Sequence, residues 1–401
     1  MRVLVVTNLY PPQHVGGYEL GCRDVVEKLR ARGHDVRVLA STFRNGKTEN
    51  PPEEKNVERA LQFDGGGEPG DKRAECAKLV RAVKNFSPDV VYFWNQAGLS
   101  AWLPLAAHWH GCRMAFFLSD TTFVWWRIAA WLLGASQKNF LIRSLFKESF
   151  LAHGWPVVEN RTCHFCSDFI RQTAVKNGLR FAPRNSVVAH WGIEPSEFTA
   201  DPRPRWPVKK LFYAGQMIPQ KGVHTAIAAV GLLAKEKNFS ELTLSIAGGG
   251  MRPDYEQELH ALPAQLGITG KINFLGRVPR TDLPKIYAEH DVLVFPSEWD
   301  EPFAITPLEA IASGLNVVGT TTGGSGELFR NRETAMTFKA GDAADCARAI
   351  RELCADEKLS AKISFNARLE VRSKHTLDAM VDKIEQSLLA ECGDEMLRLV
   401  N

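Results

Sequence analysis

The chain has 401 residues, more than a single hydrophobic core usually serves and enough for two domains. Apolar residues make up 45% and charged residues 24%, which excludes a disordered or fibrous chain. A formal net charge of +3, with no block of like charges, makes no electrostatic case for nucleic acid as a partner.

The N-terminal stretch MRVLVVTNLY is too brief an apolar run for a signal peptide or a membrane span. Val3 to Thr7 reads as a buried strand. The Pro/Gly loop NLYPPQHVGGYEL follows, then a helical pattern from Glu19 to Arg32 stopped by Gly33, then a strand from Asp35 to Ser41. Strand, loop, helix and strand in that order begin an α/β layer with a parallel sheet. Residues 44–70 are rich in Pro, Gly, Glu and Lys and predict a mobile loop. Asp89 to Trp94 and Met114 to Leu118 read as further buried strands. Phe123 to Trp155 holds Trp125, Trp126, Trp131 and Trp155 interleaved with Arg127, Lys138, Arg143 and Lys147. That pattern fits either a helix buried in the first domain or lining an acceptor cleft, or a peripheral contact with a membrane surface.

Eight scattered cysteines fit a reducing, cytoplasmic setting. Cys163 and Cys166 lie close, as CHFC, but no second pair has matching spacing. They read as buried thiols, and no metal site is expected. Near Asp201 the stretch DPRPRWPVKK reads as a linker. Strand–helix alternation then restarts, with strands at 211–214, 242–247, 272–275, 292–295 and 317–319 and helices from His224 and Leu308. Two doubly wound domains are therefore expected, 1–200 and 201–375, with a helical tail, 376–401, returning to the first. Two such domains facing each other leave a cleft at the carboxyl ends of their strands, where open α/β sheets bind ligands.

The strongest motif is DVLVFPSEWDEPFAITPLEAIASG, residues 291–314. A buried strand runs into a polar loop and then a helix. Thr306, Pro307, Leu308 and Glu309 read as N-cap, N1, N2 and N3 of a capping box. A helix N-terminus there offers free N–H groups and a positive dipole end to a diphosphate. Glu301 and Glu309 form E-x7-E, and carboxylates accept hydrogen bonds from the hydroxyls of sugars and ribose. The alternatives are a solvated loop charge for Glu301 and simple capping for Glu309.

This segment resembles the E-x7-E signature of family-four glycosyltransferases (glycosyl transferases group 1), which are retaining enzymes of GT-B architecture: two doubly wound, Rossmann-like α/β domains facing across a cleft. The resemblance implies that Glu301 lies against the donor sugar and Glu309 bonds the ribose. It also implies that the backbone of Ala304, Ile305 and Thr306 holds the diphosphate, although the family often has glycine at the Ala304 position. LFYAGQMIPQKGVHT is similar to the family's G-R-x4-K-G stretch. Lys221 matches its phosphate-binding lysine, whereas Gln216 replaces its arginine and brings no charge. Gly16 and Gly17 resemble a family loop near the donor phosphates and acceptor. GGYELG lacks the G-x-G-x-x-G of nicotinamide cofactor sites. NFLGRVPR resembles the segment that contacts the base, through the backbone of Arg277 and Val278.

One departure concerns catalysis. Many relatives carry a His–Asp pair where this chain reads Leu118–Ser119–Asp120. Asp120 and, in the glycine loop, His14 are the substitute candidates. The resemblance implies a donor that is a nucleotide-sugar, UDP-sugar favoured, serving as substrate rather than cofactor, with no metal and no nucleic acid involved. The expected acceptor is a saccharide or lipid-linked saccharide. A cytoplasmic location at the inner membrane face fits that acceptor, and so does a role in polysaccharide or glycoconjugate synthesis. The rival readings are a nucleotide-sugar epimerase or hydrolase of similar fold and a non-catalytic binder.

Overall fold

The computed structural model describes residues 1–43, 55–63, 71–100, 102–120, 158, 161–179, 181–198, 206–250 and 252–399, side chains of 394–399 excepted. The tryptophan-rich segment 123–155 and the start of the proline-rich stretch at Asp201 lie outside those residues. The chain forms two compact units. One is Met1–His190 with Met380–Asn401, and the other is Trp191–Ala379.

The first unit begins with β1 (Arg2–Val6), α1 (Gly17–Ala31), β2 (Asp35–Ser41) and β3 (Val57–Leu61). It continues with α2 (Lys72–Phe86), β4 (Val90–Phe93), α3 (Trp102–Trp109), β5 (Met114–Leu118), β6 (Thr162–Phe165), α4 (Asp168–Lys176) and β7 (Ser186–Val188). The sheet order is β3-β2-β1-β4-β5-β6-β7, with every pair parallel. VVYF is buried along its length and MAFFL as far as Phe117, as a sheet covered on both faces requires. Cys163 and Cys166 are free, buried thiols.

Strand β3 corrects the expectation of a loop through 44–70. Val57 pairs with Val38, Leu61 is fully buried, and the Arg59 guanidinium donates to the carbonyls of Tyr10 and Pro11. The Pro/Gly-rich sequences on either side hid a five-residue strand.

The second unit begins with β8 (Lys210–Ala214), α5 (Val223–Leu233), β9 (Thr243–Ala247), α6 (Pro253–Gln265), β10 (Ile272–Gly276) and α7 (Leu283–Ala288). It continues with β11 (Val292–Phe295), α8 (Thr306–Ala312), β12 (Asn316–Gly319), β13 (Met336–Thr337), α9 (Ala343–Ala355) and α10 (Glu357–Lys374). Its parallel strands run β10-β9-β8-β11-β12-β13. Leu211, Tyr213, Leu244, Ile246, Val292 and Val294 share one core cluster with Ala226, Ile227 and Val230 of α5. The order of connection reverses between β1 and β4 in the first sheet and between β8 and β11 in the second. These switch points are where open sheets of this kind leave a binding crevice.

The last helix, α11 (Leu377–Leu399), begins in the second unit and continues into the first. In the first unit Val381, Ile384 and Leu388 are buried. The Glu385 carboxylate meets His34 Nε2 and Arg32 Nη1, each at 2.6 Å. The hydrogen bond from His34, and then the hydrogen bond and charge of Arg32, hold the Glu385 carboxyl below the usual carboxylate range. A depressed folded pKa gives stability above the unfolded value of about 4.3, lost as pH falls through the folded one. Glu385→Gln should therefore lower the melting temperature at pH 7 by about 2–4 °C, for a partly screened contribution of roughly 1 kcal/mol. Thermal scans at decreasing pH should show that gap closing below about pH 4.

Candidate functional site

Most candidates of the second unit lie after β8 and β11, the two strands at its switch point, with Thr306 and Glu309 in the helix that follows β11 and Arg277 and Val278 after β10. Gly222 sits at φ 65°, and a Cβ there would lie 2.0 Å from the Pro296 carbonyl oxygen. Only glycine permits that approach, which brings Lys221 against the β11 loop. The Glu298 N–H donates to the Gln220 carbonyl at 2.8 Å and ties the two loops together.

Lys221 Nζ then donates to Glu301 Oε1 at 2.5 Å, and Ser297 Oγ donates to the same oxygen at 2.7 Å. Glu301 is only 4% exposed. Its Oε2 has no partner among the described residues. The backbone of Glu301 is held as well, since Gly324 N–H donates to its carbonyl at 2.6 Å. Gly323, at φ 57°, comes so close that a Cβ would lie 2.4 Å from that oxygen. Glu301 is thus a buried, paired carboxylate and not a solvated loop charge.

The capping box expected at Thr306 is absent. Ile305 already has helical angles, φ −80° and ψ −38°, so α8 starts at Thr306 with no side-chain cap. Glu309 turns away from the helix end. Its Oε2 accepts the Tyr287 hydroxyl at 3.0 Å, and its Oε1 lies 3.6 Å from Arg280 Nε. Burial, and then the Glu309 charge, push the Tyr287 hydroxyl well above the ordinary phenol value, so it remains a donor. The N–H groups of Ala304, Ile305 and Thr306 donate to no group among the described residues.

Gln216 is half-buried, and its carbonyl accepts the Tyr213 hydroxyl at 2.8 Å. Arg277 is exposed and packs across Gly249, where a Cβ would meet its Nε at 2.7 Å. Beside Arg277 and Val278 a cavity of about 610 Å³ runs along β9 and β10, lined by Ser245, Asn273, Asp282 and His290 among others. Ligand pockets commonly hold about 300–1,000 Å³.

The remaining candidates belong to the first unit. Gly16 and Gly17 lie at the start of α1. Gly16 has φ −140°, which any residue adopts, and a Cβ there would meet Glu19 Oε2 at an ordinary 3.7 Å. The chain's own packing does not demand glycine at Gly16. One residue missed from sequence is Glu19. It is fully buried, which raises its pKa, and it accepts the N–H groups of Gly16 at 3.0 Å and Val15 at 3.2 Å. Its place three residues after Gly16 is a capping-box spacing that was open to reading. His14 is exposed, its Nδ1 3.2 Å from the Pro12 carbonyl oxygen. Asp120 Oδ2 accepts Asn95 Nδ2 at 3.4 Å, at the carboxyl ends of β5 and β4. Among the described residues no three His, Cys, Asp or Glu side chains gather as a metal site, and no helix is long and apolar enough to cross a membrane.

Two family descriptions match the chain: "Glycosyl transferases group 1" over residues 200–370, and "Glycosyl transferase 4-like domain" over residues 16–190. The chain is 25% identical over 416 residues to the glycogen synthase of Mycobacterium tuberculosis, covering 97% of this chain and 95% of that one. It is 24% identical over 391 residues to the D-inositol 3-phosphate glycosyltransferase of Corynebacterium jeikeium, covering 90% and 91%. Among solved structures, Anabaena HepE in complex with UDP and glucose superposes with a TM-score of 0.74 at 19% identity, covering 97% of this chain and 100% of that one. Sucrose-phosphate synthase of Thermosynechococcus elongatus gives 0.74 at 17% identity, covering 96% and 97%.

Proposed function

The chain belongs to the glycosyl transferases group 1 family and has the GT-B fold, and we propose that it moves a hexosyl group from a UDP-sugar to a saccharide or lipid-linked saccharide with retention of configuration. Its relatives include a glycogen synthase and a D-inositol 3-phosphate glycosyltransferase, and a nucleotide-sugar donor fits glycosyl transfer of that kind. UDP is favoured because HepE, a structural neighbour, was crystallised with it. Synthesis of a polysaccharide or glycoconjugate follows from such an acceptor.

One observation carries the reading: Lys221 and Glu301 meet at the switch point of the second unit. An ammonium has three N–H donors, so Lys221 keeps two for phosphate oxygens while one stays on Glu301. The free N–H groups of Ala304, Ile305 and Thr306 supply further donors to the diphosphate. Glu301 offers its open Oε2 to a hydroxyl of the donor sugar, Glu309 takes the ribose, and the base enters the cavity beside Arg277 and Val278. Gln216 contributes an amide donor without charge.

As the sugar–phosphate bond breaks, these groups stabilise the negative charge gathering on the leaving phosphate. The acceptor oxygen bonds to the anomeric carbon, and its proton passes to the leaving phosphate. On the acceptor side Asp120, fixed by Asn95, is better placed than exposed His14 to take a hydroxyl's hydrogen bond. Because Lys221 and the N–H groups meet the charge, no divalent ion is needed, and activity should survive chelation.

The test is to incubate the full chain with UDP-, GDP- and ADP-sugars, with and without saccharide acceptors, and to measure released nucleotide. Acceptor-dependent release of UDP supports the reading. Equal release without acceptor, or none with any donor, overturns it. Within the site, Glu309→Ala should raise the donor KM by about 10–100-fold, the worth of a hydrogen bond to a charged group, and leave kcat nearly unchanged. Steady-state kinetics decide this.

A further inference from the structure

We infer that Ser297 is a positioning residue for the transfer step: together with Lys221 it pins one oxygen of Glu301 and so reserves the other for the donor. This rests on the reading of Glu301 given under Proposed function.

The two glutamates are held by the same kinds of group in different ways. Each meets a hydroxyl and a cation, Ser297 and Lys221 for Glu301, Tyr287 and Arg280 for Glu309. On Glu309 the hydroxyl and the cation approach different oxygens. On Glu301 both address Oε1, at 2.7 and 2.5 Å, which leaves Oε2 unengaged.

Ser297 is fully buried, and its own carbonyl accepts the Thr320 hydroxyl at 2.6 Å, so its backbone is fixed. Its hydroxyl has one proton to give. The carbonyls of Gln220 and Trp299 stand off at 3.4 and 3.5 Å, whereas the carboxylate is nearer and charged. A charge-assisted hydrogen bond wins that competition.

Lysine alone does not fix a carboxylate. Its ammonium rides on a flexible four-carbon stem and follows either oxygen. A second donor from a rigid loop converts a charge pair into an orientation. Misplacement of a reacting group by about 1 Å costs about 10²-fold in rate. Ser297 therefore acts on turnover through Glu301 and touches no part of the substrate.

The experiment compares the full-length protein with Ser297→Ala, Ser297→Thr and Ser297→Cys, using whichever UDP-sugar the donor panel selects, and UDP as the binding probe. Ser297→Ala should lower kcat about 10–100-fold, with donor KM and UDP Kd within about 3-fold of the parent. Ser297→Thr, which keeps the hydroxyl, should recover most of the loss. If Ser297→Ala melts below the assay temperature, Ser297→Cys, similar in volume but a weak donor, should show the same fall in kcat. Parent turnover in the folded Ala or Cys variant overturns the inference. So does a loss confined to KM and UDP affinity, which is the signature of mere structural support. The Glu301 reading is judged separately by Glu301→Gln: if that variant turns over normally, the reading itself fails.

Discussion

Glu301→Gln is expected to lower kcat by about 10²–10³-fold and leave the Kd for UDP within about 3-fold. The substitution keeps the shape and removes the charge. Its amide has one oxygen for two demands. Turned toward Lys221 and Ser297, the oxygen satisfies both donors and presents an NH2 to the donor sugar, where a hydroxyl acceptor is required. Turned the other way, the NH2 faces an ammonium and a hydroxyl proton in a site that is 4% exposed. Neither arrangement reproduces the wild-type one. Steady-state kinetics with a binding titration of UDP separate turnover from affinity, and normal turnover would place the chemistry elsewhere.

Lys221→Met should be comparably severe, reducing kcat/KM by about 10²–10³-fold and also weakening UDP. Two effects add. The leaving diphosphate loses its cation at a site where Gln216 brings no charge. Glu301 also loses its ion-pair partner, so a carboxylate paired in the parent is left with Ser297 alone, a costly state in a buried setting. Lys221→Arg retains the charge, but a planar fork does not replace a compact ammonium between Glu301 and a phosphate. It should recover only part of the activity. If Lys221→Met binds UDP and turns over like the parent, charge neutralisation by this residue is wrong.

What could be read from the sequence was whatever lies close along the chain. The strands flanking both switch points are apolar runs, Glu301 and Lys221–Gly222 sit in the loops that follow them, and Glu309 lies in the first turn of the next helix. Those features are local, and the structure puts Lys221 and Glu301 within one hydrogen bond. Thr306–Pro307–Leu308–Glu309 had the spacing of a capping box, but that spacing carries no record of Tyr287 and Arg280, which draw the carboxylate away. Ser297 gave no signal, since a serine in a loop has no period and its value depends on which oxygen of Glu301 it reaches. Strand β3 was lost among breaker residues because its pairing with β2 is a tertiary fact. Helix α11 showed its period but not its partners, His34 and Arg32, which lie at the far end of the sequence.

That helix also orders events during synthesis. The first unit is discontinuous, since Met380–Asn401 belongs with Met1–His190. The second unit is translated as one uninterrupted block between the two pieces. At about 5–20 residues per second, the rest of the first unit waits roughly 10–40 s before Val381, Ile384 and Leu388 are made. Throughout that interval the first unit lacks the helix whose Val381, Ile384 and Leu388 the finished protein buries. It is then, more than in the completed enzyme, that a chaperone or a neighbouring chain finds something to hold.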